Sequence, residues 1–323
     1  MTDRTEQLVR EAFAEEAERA ADPREVLANV RGRRPRRSYG LAFATAAVVA
    51  VVAAVATFVV PSVFRESTPP AGEARHQTAA VTPMNVLVVG VDTNGYTDSI
   101  VLVQLGKDGS TSLVSLPRDA WVSAGGAMTK LNQVYVRSGA DALATEVGEL
   151  TGVHVDHWAA VDMAVLPDLL SAVGGVEICL NSATSDRFAG ADFPAGKQVV
   201  SGQQALAFLR QRHGLPNSDL DRIIRLQVFV KSLLTKLKGS DPHALVTAAR
   251  DHVRTDPGLD VLGLAQDLVR GGALRFGTIP HENADVQTPQ GAAIGVDPVQ
   301  VKQFVANLPN TPPADPGDVP CVN

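Results

Sequence analysis

Three short stretches of this 323-residue chain carry side chains suited to chemistry: "GYTDSI" with Asp98, "LVSLPRDAWV" with Arg118 and Asp119, and "LRQRHGLPNSDLDRIIRLQ" with Arg210, Arg212, Arg222 and Arg225. Two carboxylates held close repel unless a proton or a cation intervenes, and a hard divalent metal such as Mg2+ suits oxygen ligands of this kind. Four arginines around one loop make a cradle for phosphate or pyrophosphate, because guanidinium forks match its oxygens. A fourth stretch, "TKLNQVY", offers Lys130 and Asn132 as further donors. Blander readings of the same residues stay open. Asp98 can cap a strand, Arg118 and Asp119 can form a surface ion pair, and Asp219 and Asp221 can offset the nearby arginines without a ligand. His154 and His157, three apart on an expected strand, point to opposite faces and make a poor metal pair. The chain has no Walker loop, GxSxG elbow or HExxH helix, so covalent catalysis has no candidate nucleophile.

Those side chains need elements to hold them. "MNVLVVGV", "SIVLVQL" and "TSLVSL" are apolar runs of strand length, with "GKDGS" as the turn between the last two. A hairpin of the second and third runs sets the beginning of one beside the end of the other, so Asp98 and Asp119 are expected to face each other. Continuous hydrophobicity points to strands covered on both faces. Helical spacing follows at "KLNQVYVRS" and "ADALATEVGELTG", a strand at "VHVDHWAAV", a helix at "MAVLPDLLSAVGG" and a strand at "VEICL". "SGQQALAFLRQR" begins with Ser201 and Gln204 in capping-box positions. "SDLDRIIRLQVFVKSLLTKLKG" is a long amphipathic helix with Arg222 and Arg225 on one face, bordering Ile223, Leu226, Val230, Leu234 and Leu237. "ALRFGTIP" is strand-like, and "DPVQVKQFVANL" is a helix with Asp297 as N-cap and Pro298 in its first position. The expected fold class is α/β (α+β), a central mixed β-sheet sandwiched by helices.

The chain is 45% hydrophobic with a formal net charge of −6, enough apolar content for a buried core and the wrong sign for a nucleic-acid partner. Residues 40–61 form an uncharged apolar run long enough to cross a bilayer as a helix. Arg31, Arg33, Arg34, Arg36 and Arg37 precede it, so the N-terminus is expected in the cytoplasm and the rest outside. A cleaved signal peptide fits less well, because the charged segment before the run is long and no clean small-x-small site follows. The expected organisation is a cytoplasmic segment 1–38, a transmembrane helix 39–61, a linker 62–83, an extracytoplasmic domain 84–309 and a tail 310–323. Cys179 and Cys321 both fall on the exported side, where one disulfide between them is expected and two unpaired thiols are the alternative.

The order "NVLVVGVD", "TDSIVLVQL", "LVSLPRDAWV", "KLN", "GVHVDHWAAVD", "LLSAVGGVEICL" and "SGQQALAFLRQRHGLPNSDLDRIIRLQ" resembles the LytR–CpsA–Psr family of cell-wall glycopolymer transferases, actinobacterial members in particular. The resemblance implies a membrane-anchored phosphotransferase that takes a glycopolymer from a polyprenyl-pyrophosphate carrier and attaches it to peptidoglycan through a phosphodiester. It implies Mg2+, with Mn2+ as the alternative, on Asp98 and Asp119. It implies pyrophosphate contacts from Arg118, Arg210, Arg212, Arg222 and Arg225, with Lys130, Asn132 and Gln227 beside them. The chain departs from the family pattern in the short "DTNGYTD", where Tyr96 stands near a usual arginine, in Ser218–Asp219, and in "RLQ" from Arg225 to Gln227. Two rivals share these residues: a polyprenyl-pyrophosphate pyrophosphatase with water as acceptor, and a lipid- or glycan-binding wall protein without turnover. Transcriptional regulation is a poorer fit, since membrane topology already accounts for the basic run.

Overall fold

The structure, a computed structural model, describes residues 82–92, 95–217, 219–237, 249–270, 272–282, 286–315 and 317–323. The expected cytoplasmic segment and transmembrane helix lie outside them. Among the described residues no helix is long and apolar enough to cross a membrane.

Three consecutive apolar strands lead the domain: β1 (Met84–Val91), β2 (Thr97–Leu105) and β3 (Thr111–Leu116), antiparallel in turn. The "GKDGS" turn closes on Gly106 and Ser110, with N–H to O=C at 2.8 Å, and Gly109 takes the positive φ of 75° that the turn demands. A hairpin of β4 (Ala120–Ala124) and β5 (Ala127–Lys130) follows and runs into α1 (Leu131–Thr151). The two helical stretches expected there are one element broken at Gly139, whose φ of 82° and ψ of −170° are not helical. Next come β6 (His157–Asp162), α2 (Leu166–Ala172), β7 (Val176–Leu180), β8 (Thr184–Asp186), β9 (Ala191–Phe193) and β10 (Gly196–Val200). Then α3 (Gly202–Arg210) and α4 (Asp219–Leu237) precede β11 (Val253–Thr255), α5 (Val261–Arg270) and β12 (Leu274–Thr278). β13 (Val286–Thr288), β14 (Gly291–Gly295) and α6 (Pro298–Asn307) complete the series.

The central sheet has the order β11-β6-β1-β2-β3-β12 and is mixed, with β6 parallel to β1 and β12 parallel to β3. A second sheet runs β13-β14-β4-β5. Because side chains alternate along a strand, β1 feeds two cores. Val86 and Val88 join Leu206, Phe208, Phe229 and Leu233 from α3 and α4 on one face. Leu87 and Val89 join Leu131, Leu143, Val147, Val301 and Val305 from α1 and α6 on the other. Helices therefore cover both faces, which is why the strands read as unbroken apolar runs.

Two caps have opposite outcomes. Asp297 caps α6 as expected, its carboxylate accepting from Val299 N at 2.8 Å. Ser201 and Gln204 do not form a capping box: Ser201 is the N-cap of α3 but makes no side-chain cap bond, and its backbone O accepts from Gln204 N at 3.0 Å. Cys179 and Cys321 are joined by a disulfide, and Val322 N donates to Cys179 O at 3.0 Å beside it. Farther up the tail, Ala314 N donates to Leu274 O at 2.7 Å and Arg275 Nε to Thr311 O at 2.6 Å, along β12.

Candidate functional site: an arginine and carboxylate cluster at the strand ends

In the hairpin of β2 and β3, Ile100 pairs with Leu116. Asp98 lies two residues before one partner and Arg118 two after the other, so they meet across the end of the sheet. Pro117 O accepts from Ala120 N at 3.0 Å in the turn that follows β3. The next carbonyls are tied down as well, with Arg118 O accepting from Asn132 N and Asp119 O from Ile294 N, each at 2.9 Å. Proline fixes φ at the start of this turn, and three backbone bonds hold the Arg–Asp pair behind it.

Arg118 is the hub. Its NH1 bonds Asp98 Oδ1, while its Nε lies 3.6 Å from Asp119 Oδ2 and 3.5 Å from Asp219 Oδ2. Arg212 reaches Asp98 Oδ1 at 3.4 Å and Asp219 Oδ1 at 3.5 Å. Arg222 donates to the Asp98 carbonyl at 3.4 Å and pairs with Asp219 Oδ1 at 3.5 Å. Lys130 Nζ and Asn132 Nδ2 approach Asp119 Oδ1 at 3.3 and 3.4 Å. Arg210, the last residue of α3, is close enough to Asp98 and Asp92 to be attracted by both. The expectation that Asp98 and Asp119 face each other needs correcting, because the Arg118 guanidinium stands between them.

Burial and charge pull against each other here. Burial pushes the Asp98 carboxyl above its ordinary value, and Arg118, Arg222 and Arg212 offset only part of that. Burial also raises Asp219, but the same three arginines outweigh it and hold this carboxyl low. For Arg118 burial pulls downward, and Asp98, Asp219 and Asp119 together leave it raised. Burial lowers Arg222 and Arg210 to about 10, so both remain charged at neutral pH.

The cluster is loosely knit. Arg118 Nε and Asp219 Oδ1 are buried with ion partners near 3.5 Å but no hydrogen bond. Such groups gain from a ligand that supplies short bonds. Among the described residues no group of three or more His, Cys, Asp or Glu side chains is arranged to hold a metal. Asp98 and Asp119, each facing Arg118, supply two carboxylates at the sheet end, fewer than a cage built by protein alone would need.

Behind the cluster a narrow cavity of about 20 Å³ runs between β2–β3 and α4. Asp98, Arg118, Asp119, Asp219 and Arg222 line its polar end, and Ile100, Leu116, Ile223, Leu226 and Ile294 its apolar walls.

Two expected site residues are not brought to the cluster. Arg225 is fully buried; its NH1 donates to Phe208 O at 3.1 Å and Gln211 Oε1 at 2.8 Å, its Nε bonds Asn323 O, and it stacks 4.8 Å from the Phe208 ring. Gln227 Nε2 bridges α4 to the sheet, donating to Ser115 Oγ at 3.0 Å and Thr278 Oγ1 at 3.1 Å. Sequence reasoning also missed two residues. Asp219, read there as a local offset, is shared by Arg118, Arg212 and Arg222. Asp186 has no local signal in the sequence, yet its Oδ2 accepts from the backbone N–H groups of Arg212 and His213, both at 3.1 Å, and its Oδ1 from Phe188 N at 2.9 Å. Burial would raise this carboxyl, but those N–H donors bring it down to about 2.

A mixed sheet with helices on both faces, gathering guanidinium and carboxylate groups at its strand ends, defines an α/β protein with a charged site at the end of its sheet. The model of the LytR_cpsA_psr family matches residues 63–303, and the chain belongs to that family. It is 33% identical over 271 residues to "Cell wall biosynthesis protein LcpA" of Corynebacterium glutamicum, a match covering 72% of this chain and 52% of LcpA. It is 32% identical over 192 residues to the "Polyisoprenyl-teichoic acid--peptidoglycan teichoic acid transferase TagU" of Enterococcus faecalis, covering 55% of this chain and 63% of TagU. The chain thus spans about half the length of LcpA and under two thirds of TagU. Among solved structures, a transcriptional regulator from Enterococcus faecalis superposes with a TM-score of 0.61 at 26% identity, over 71% of this chain and 87% of the other.

Proposed function

We propose that this chain is a phosphotransferase that moves a glycopolymer from a polyprenyl-pyrophosphate carrier to peptidoglycan. The observation that carries the reading is the coupling of a half-buried, loosely knit arginine cluster to an apolar cavity at the same strand ends. A lipid pyrophosphate has that combination of a doubly phosphorylated head and an isoprenoid tail.

Arg118, Arg212 and Arg222 bind the pyrophosphate oxygens, and Arg210 adds charge from the end of α3. The acceptor hydroxyl oxygen bonds to the sugar-linked phosphorus while the bridging P–O bond breaks, and polyprenyl phosphate leaves, its new phosphate oxygen taking up the hydroxyl proton. The arginines neutralise charge on the leaving oxygens, since phosphoryl transfer depends chiefly on positioning and electrostatics. Asp98 and Asp119 are the side chains that would hold Mg2+, which when bound supplies further charge neutralisation at the phosphate oxygens. The tail lies along Ile100, Leu116, Ile223 and Leu226. At about 20 Å³ the cavity has room for little more than a water, so a tail bound there needs a wider slot than this structure has. A membrane anchor in residues 39–61 would keep this slot near the bilayer.

The test is turnover of a short polyprenyl-pyrophosphate sugar donor by the full chain in detergent, with peptidoglycan fragments as acceptor. Transfer that depends on divalent metal and falls at least a hundred-fold in Arg118→Ala and Asp98→Asn is the expected result. Phosphate release without transfer would point to the pyrophosphatase, and donor binding without turnover to a binding protein.

A further inference from the structure

We propose that Phe188, leaning on His213, is a stacking platform for the pyranose ring of the glycan attached to the donor pyrophosphate; the inference rests on the reading of the arginine cluster as a lipid-pyrophosphate site. Phe188 lies in the tip between β8 and β9 and is 68% exposed, the most exposed of the large hydrophobic side chains among the described residues. One exposed aromatic residue needs no explanation on its own. This one is held in place. Its N–H is fixed at 2.9 Å by Oδ1 of Asp186, a carboxylate only 4% exposed. The other oxygen of the same carboxylate fixes the N–H groups of Arg212 and His213.

One buried group therefore ties the exposed ring to an arginine of the anion cluster. The His213 ring stands 4.9 Å from the Phe188 ring at a tilt of 44°, and the Arg187 guanidinium lies 4.8 Å from its centroid. His213, whose ring leans on Phe188, follows Arg212 directly in the chain. A glycosyl pyrophosphate carries its sugar immediately beyond the phosphates. The C–H face of a pyranose packs on the electron-rich face of an aromatic ring, and Arg187, which lies over the Phe188 ring, offers its hydroxyls donors together with His213. A ring presented on a clamped backbone binds without losing much freedom, which favours this use over chance exposure.

The test compares affinities of the full chain in detergent for geranylgeranyl pyrophosphate, for the same lipid pyrophosphate bearing N-acetylglucosamine, and for a peptidoglycan disaccharide. Phe188→Ala is expected to weaken the sugar-bearing lipid about five- to ten-fold and to leave the bare lipid pyrophosphate unchanged. Phe188→Trp should restore the sugar-bearing arm to within about two-fold. Weakening of the disaccharide arm alone would assign the ring to the acceptor and overturn the donor assignment. An equal loss in the bare-lipid arm would make the tip a lipid contact, and no change in either sugar arm would remove the platform; both overturn the inference. If the wild-type chain fails to bind even the bare lipid pyrophosphate, the functional reading falls and takes the inference with it.

Discussion

Arg222 and Arg225 sit three residues apart on α4, and helical spacing alone gives them one role. The structure separates them by what each guanidinium meets: carboxylates at the sheet end for Arg222, and Phe208 O, Gln211 and Asn323 O for Arg225. Those partners of Arg225 come from α3, the loop after it and the far end of the chain, and no local pattern announces that they converge. Removing a buried guanidinium leaves its acceptors without bonds, so Arg225→Ala is expected to destabilise the fold by about 3 kcal/mol or more. The side chain of Arg212 is 38% exposed. Arg212→Ala should leave the urea midpoint within experimental error while weakening lipid-pyrophosphate binding at least ten-fold. Denaturation and binding measured on both variants would check the division; equal loss of stability in the two would reject it. What was legible at this scale was chemical type, with Asp98, Arg118, Asp119, Lys130 and Asn132 converging. Asp219 was visible but undervalued, because its reach to Arg118 depends on how α4 docks against β3.

At the scale of elements, the hairpin of β2 and β3 and the amphipathic stripe of α4 could be read directly, since apolar runs and a five-residue turn leave few alternatives. The short strands β8 and β9 could not. Three residues each, with alternating exposure, they carry too little periodicity to stand out. They nevertheless hold Asp186, which fixes the backbone of the Arg212 loop. Gln211, wholly buried, supports the same loop by donating to Thr184 and to His213 O. The Asp186 carboxyl falls from an ordinary 3.8 to about 2 on folding. A depressed carboxyl stabilises the folded chain above its unfolded value, and that contribution fades as the pH falls through the folded value. Asp186→Asn should therefore unfold at lower temperature than wild type above about pH 5, with the gap closing as the pH falls from about 4 toward 2. Thermal melts across that range check it, and a gap that widened toward acid would contradict the assignment.

Across the whole molecule, the Cys179–Cys321 disulfide spans 142 residues and ties the end of the chain to β7. The compartment reading and an even cysteine count made that pairing an expectation, but nothing in the sequence shows that the same tail segment also caps Arg225 through Asn323. Closing a loop of this length restrains the unfolded chain by about 3 to 5 kcal/mol. The Cys179→Ala, Cys321→Ala double variant should accordingly melt several degrees lower. A melting temperature unchanged by the double substitution would show that the tail holds without its bond. The course of the tail also bears on self-association. Exposed strand edges are templates for pairing with another chain. Here one edge of the central sheet ends in β11, only three residues long, and the other, β12, is bonded by the passing backbone at Thr311 and Ala314. Among the described residues of the central sheet, neighbouring copies thus meet no long, open edge strand to zip against, and the sheet that positions the arginines has little edge from which to grow into a fibre.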